Sequence, residues 1–240
     1  MPFPDLDEIT FSSTSPQIQN SLIILRNASK SVQAFYDLYK ESRRLRKGGG
    51  ATTDKEQDLL RAMLLFASAG LDAVVKQLIK DCLRDVISDD LGAAKQFEIF
   101  MERKLLKGSS ELDEISTKYV LNIKLLAKIV SNREPIEIGL DSLINDLTGD
   151  SLQSADQLLR VASQFAIMPK DLFSHIELVK EIFKVRNQIT HEMDINLDSP
   201  NRSRRARGQK DMIEYTKEVL FITENFVKAV EKKINNSIKK

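Results

Sequence analysis

Arg186, Asn187 and His191 lie within the stretch "EIFKVRNQITHEMDI", residues 181–195, and their types could do chemistry. A planar guanidinium can grip two phosphate oxygens at once. An imidazole, with an ordinary pKa of about 6.5, can take and return a proton near neutrality. An amide can hydrogen-bond the same phosphate or orient the imidazole. Asn187 and His191 are four positions apart, which on a helix places them on one edge.

The segment that carries them reads as an amphipathic helix over about 170–193. On a helical wheel Leu172, Ile176, Val179, Ile182, Phe183, Ile189 and Met193 share one apolar face. Glu177, Glu181, Lys184 and Gln188 oppose it. Arg186 breaks the pattern, because it falls near the centre of the apolar face. A guanidinium does not deprotonate, and burying it unpaired costs several kcal/mol. Two resolutions stay open. Either an acid on a facing helix, such as Asp72 or Asp81, pairs with it, or the face opens onto a cleft or a second subunit. His191 also suits a helix C-terminus, where a cation is favoured. His175, the other histidine, sits beside the apolar face and reads as a packing residue.

The elements that must hold these side chains are helices. The chain has 240 residues, of which 42% are hydrophobic and 30% charged, with only 9 Gly and 6 Pro. Long runs without breakers favour helices over a sandwich of strands. Ser15-Pro16 opens a first helix that runs to Lys47, and Gly48, Gly49 and Gly50 stop it. Thr53 and Glu56 have capping-box spacing ahead of a long, very apolar second helix. Gly70 within that helix permits a close neighbour. Further helices are predicted over about 90–106, from Ser110 with Asp113 to about Ser131, up to Gly149, and up to Pro169. A polar loop over about 194–209 follows the motif helix, and a last helix closes the chain. The pattern predicts an all-α, single-domain helical bundle over 15–240, behind an N-terminal extension, 1–14.

Charge and cysteine content narrow the function classes. Net charge is +1, so any nucleic-acid contact must come from local patches. The loop "NRSRRAR" supplies one, with Arg202, Arg204, Arg205 and Arg207. It reads either as a solvated charge block or as an arm that tracks phosphates beside the motif. The basic run at 43–50 reads as cations at a helix C-terminus, and its glycines lack the Gly-Lys-Ser/Thr of a phosphate loop. The lone Cys82 excludes an intrachain disulfide and a multi-cysteine zinc site, and reads as a buried thiol. No Asp, Glu or His cluster has metal-ligand spacing, so no metal or other cofactor is expected. The N-terminus lacks signal-peptide regions and no apolar run of about 18 residues is evident, which predicts a cytoplasmic chain with no membrane span.

"RNQITH" resembles the R-N-x-x-x-H signature of the HEPN superfamily. "LLFASAGLDAVVKQLIKDCL" resembles the long early helix of its RiboL-PSP-HEPN branch, and "TGDSLQSADQLLRVASQF" the middle section. The resemblance covers roughly 59–230, and the motif stands near the end of a late helix with one more helix after it, as in that family. Many relatives carry a tyrosine two residues past the histidine; Met193 stands there instead. The resemblance implies an all-α HEPN-like fold and a metal-independent endoribonuclease. Arg186 would hold the phosphate, His191 would move protons, and Asn187 would assist either. It further implies a homodimer with two such sets facing across a two-fold axis, since one chain offers one suitable histidine. A role as a toxin or antiviral defence effector, checked by an antitoxin protein, would follow. The competing expectations are a non-catalytic HEPN-like module that binds RNA or nucleotide, and a helical interaction module with Arg186 spent on an acid.

Overall fold

The computed structural model describes residues 6, 9–46, 50–106, 123–131 and 134–237. Among them are eight α-helices and no strand: α1 Pro16–Leu45, α2 Asp54–Asp89, α3 Leu91–Leu106, α4 Ile123–Val130, α5 Pro135–Thr148, α6 Ala155–Gln164, α7 Ile176–Glu192 and α8 Gln209–Ser237. One 3-10 turn, Pro169–Asp171, lies between α6 and α7. The chain is therefore an all-α single-domain bundle. The expected turn at 47–49 and the expected helix start at Ser110 and Asp113 fall outside the described residues.

α2 organises the bundle, packing against α1, α3, α5, α7 and α8. Its start follows from the capping box: Glu56 N–H donates to Thr53 Oγ1 at 3.3 Å and Thr53 N–H donates to the Glu56 carboxylate at 2.8 Å. Glu56 is only 1% exposed, and Arg43 and Arg46 each approach it at 3.5 Å. The basic end of α1 is thus used inside the fold. α1 runs antiparallel to α2, since Arg43 meets Glu56 at one end while the Cys82 thiol meets the Gln17 carbonyl at the other. α8 runs parallel to α2: Arg207 N–H, just before α8, bonds Gln57 at 3.0 Å, and Lys233 near its end meets Asp90 at 2.7 Å.

At Gly70, α2 lies against Ala28 of α1. An alanine there would gain about 1 kcal/mol of helix propensity. Its Cβ would, however, stand 2.4 Å from the Ala28 Cβ. The core around this contact joins Tyr36 and Tyr39 of α1, Leu64, Val75 and Leu78 of α2, and Phe226 and Val230 of α8, all buried. Phe165 packs edge-on against Phe226 at 5.9 Å between ring centres. Cys82 is buried, and burial, with the charges of Asp81 and Asp85, pushes its thiol up to about 12. It is a packing thiol with little thiolate character.

Three expectations are corrected. α2 holds an 18-residue window of mean hydropathy 1.5, so by length and composition one helix could cross a bilayer. The packing explains the composition, because 50% of that window is buried inside the bundle. Where it is described, the N-terminal extension packs on the fold: Leu6, Ile9 and Phe11 lie against the core, and the Ser13 hydroxyl donates to Glu231 of α8. The motif helix starts later than predicted. Pro169 opens the 3-10 turn, Leu172 and Phe173 are buried outside any helix, and α7 begins at Ile176. His175 is consequently the N-cap position of α7 and is exposed, not a packing histidine.

Candidate functional site

α7 buries Val179, Ile182, Phe183 and Ile189 of the predicted apolar face and adds Val185 at its edge, while Ile176 is half-buried. Leu172 O accepts a hydrogen bond from Asn225 of α8 at 3.0 Å, and Gln188 meets Arg207 at 2.8 Å at the other end. α7 therefore lies antiparallel to α8, with its motif end beside the start of α8. The motif end also approaches α2, through contacts that begin at Asp194.

Arg186 is half-buried on this face. Its Nη1 donates to Asn187 Oδ1 at 3.0 Å, and Asn187 Nδ2 donates to the Gln153 carbonyl at 2.8 Å, just before α6. Asn187 thus holds the guanidinium, and of the two roles open to it, it makes no hydrogen bond to the His191 imidazole. The predicted acid partners are otherwise engaged. Asp72 meets Lys76 at 3.0 Å and the Leu152 N–H at 2.8 Å. Asp81 accepts from Asn20 at 3.1 Å and from Gln77 at 2.7 Å.

Comparison with the other arginines singles out Arg186. Arg43, Arg46, Arg61, Arg84, Arg205 and Arg207 are each partly or wholly withdrawn from solvent, and each meets a carboxylate within 4.0 Å. Among the described residues Arg186 is the one arginine withdrawn from water with no carboxylate in that range. His191 stands in the last turn of α7, exposed and without a hydrogen bond to any described residue. Beyond it Met193, predicted to pack, is 67% exposed.

The loop after α7 is neither a free charge block nor a free arm. Met193 and Asp194 adopt left-handed backbone, φ 50° and 59°, and end the helix, with Asp194 N–H donating to Gln188 O at 2.9 Å. Left-handed backbone costs a non-glycine residue roughly 1–2 kcal/mol, less for Asp. Opposing that cost is an ion cluster the sequence reading missed. The Asp194 side chain is 0% exposed and receives Arg61 Nε at 2.7 Å and Arg207 Nε at 3.0 Å. Burial pushes the Asp194 pKa up, but hydrogen bonds and charge from Arg207 and Arg61 outweigh it and hold the carboxyl below its ordinary 3.8. Arg61 also donates to Gln57 at 3.2 Å and to the Arg205 carbonyl at 2.9 Å.

Three of the four loop arginines are committed inside the molecule. Arg207 serves Asp194 and Gln188, Arg205 meets Glu192 at 2.8 Å, and Arg204 meets Asp58 at 2.6 Å. This removes Arg207, with its side chain 13% exposed, from the expected RNA-contacting set. Arg202 is exposed, with no ion pair among the described residues. An isolated bridge between Ile195 and Arg204 closes the loop. No signal at Asp194 alone could have exposed the cluster, since Arg61 lies 133 residues away.

No group of three or more His, Cys, Asp or Glu side chains able to hold a metal ion occurs among the described residues. No protein-family model, curated protein or solved structure matches the chain.

Proposed function

We propose that the chain is a metal-independent endoribonuclease whose site is Arg186, Asn187 and His191, completed by a second copy of the chain. The observation that carries this reading is the arginine withdrawn from water without a carboxylate. A cation in that position has lost part of its hydration and gained no anion, so it is available to a phosphate. Asn187 presets the guanidinium and reduces the ordering needed on binding.

The chemistry assigns one role to each group. Arg186 stabilises charge that builds on the phosphorus-bound oxygens as the 2′-oxygen attacks. His191, solvent-accessible at the helix end, takes the 2′-OH proton or protonates the leaving 5′-oxygen. One imidazole serves one of these at a time. A two-fold dimer brings the second, and the exposed Met193, two residues past His191, and Leu197, in the loop that follows, provide apolar surface for the contact. Arg202, and the outer faces of Arg204 and Arg205, then guide the RNA backbone toward the site. In a cell such an enzyme would act as a toxin or defence effector in the cytoplasm, held in check by an antitoxin.

The reading predicts that purified protein cleaves RNA in EDTA and leaves 2′,3′-cyclic phosphate ends. It fails if no cleavage occurs, or if cleavage survives in both Arg186→Ala and His191→Ala. RNA binding without cleavage would reassign the site to a binding module.

A further inference from the structure

We propose that Asp194, gripped by Arg61 and Arg207, is a positioning residue for His191. The functional consequence rests on the nuclease reading above; the structural consequence does not. Gln188 and Asp194 stand three residues before and three after His191, and one guanidinium spans them. Arg207 Nη2 donates to Gln188 Oε1 at 2.8 Å, while its Nε reaches Asp194 at 3.0 Å. The turn carrying His191 is bracketed by a single planar group.

Arg61 ties that bracket to the longest helix of the bundle. It sits on α2 with 3% of its side chain exposed and reaches Asp194 at 2.7 Å. The Asp194 backbone joins in from both sides: its N–H closes α7 onto Gln188 O at 2.9 Å, and its carbonyl accepts Arg205 N–H at 2.7 Å. Arg205 in turn holds Glu192, the residue after His191, at 2.8 Å. The left-handed pair Met193 and Asp194 is therefore fixed by ties to α2, to α7 and to the loop. The Asp194 carboxylate is fully buried, so it cannot meet a phosphate itself. What it controls is where the last turn of α7, and the imidazole on it, stands relative to Arg186. Misplacing a catalytic group by about 1 Å can cost roughly 100-fold in rate.

The experiment compares full-length Asp194→Asn with a core control, Leu78→Ala, both at temperatures where melting curves show each folded. Two quantities are read: single-turnover RNA cleavage, and amide hydrogen exchange along α7. For Asp194→Asn we expect about a 10- to 100-fold lower cleavage rate with half-saturation within about twofold. Exchange should accelerate most at residues 189–193. Leu78→Ala should keep its cleavage rate and its α7 exchange pattern. The proposal is overturned if the two variants lose rate alike, or if exchange in Asp194→Asn rises no more at 189–193 than elsewhere. Absence of cleavage by the wild-type chain would sink the nuclease reading, and the exchange arm would still decide the positioning role.

Discussion

A pair of arginines that reaches the turn ending α7 and a single arginine within α7 have opposite fates. Arg61 and Arg207 converge on one buried carboxylate, Asp194. Arg186, on α7, meets only the amide of Asn187 among the described residues. In the first set, charge is neutralised where it is buried, and the product is a fixed turn. In the second, no carboxylate lies within 4.0 Å among the described residues, which leaves the charge for the proposed phosphate contact. A motif-end arginine therefore cannot be assigned by proximity. On the proposed reading, what separates Arg186 from Arg61 and Arg207 is that no acid among the described residues has claimed it.

The largest difference between the sets should appear in cleavage. His191→Ala should lower RNA cleavage by about 10²–10⁴-fold, the usual worth of a general acid or base. It should leave the melting temperature nearly unchanged, because His191 is exposed. Single-turnover kinetics with a parallel melting curve checks both halves.

Stability should show the reverse ranking. Asp194→Ala leaves two arginines facing a dry site, which should cost about 3–5 kcal/mol in urea unfolding. Arg186→Met breaks no ion pair among the described residues and adds apolar surface to an apolar face. Its stability should stay within about 1 kcal/mol of wild type or rise.

Acid provides a further contrast. The Asp194 carboxyl sits below its ordinary 3.8, as do those of Asp58, Asp90 and Asp146. In that situation the unfolded chain binds the proton first as pH falls. The stabilisation is complete above the ordinary value and is lost as pH drops below it toward the lower folded value. Urea midpoints measured from pH 5 down to 2 should fall less steeply in Asp194→Asn than in wild type.

The smallest effect belongs to the loop tip. Arg202→Ala should weaken RNA binding modestly and reduce the salt dependence by about one unit in log–log slope. Arg207→Ala should instead lower the melting temperature, because its guanidinium is bound to Asp194.

Much of the framework could be read from local sequence, because the determinants are local. Thr53 and Glu56 announce the start of α2 three residues apart, and Gly70 marks the close approach to α1. The α7 stripe picked out the misplaced Arg186 from periodicity alone. α7 starts later than the pattern predicts because Leu172 and Phe173 are buried in irregular backbone, where burial mimics helical period. His175 moves with it, from a packing position to an exposed N-cap. The fate of Arg186 and of the loop arginines was not readable, since pairing depends on which distant residues fold together. Gln153, which anchors Asn187, lies 34 residues away, and Asp58, which takes Arg204, lies 146 away.

The most direct measurement is the single-turnover RNA cleavage rate of Arg186→Met in EDTA, taken on a sample whose melting curve is recorded alongside. A free, phosphate-holding arginine predicts a rate at least about 100-fold below wild type, with the melting temperature equal or higher. A variant that cleaves as fast as wild type, or one that loses activity only because it has unfolded, would contradict the account.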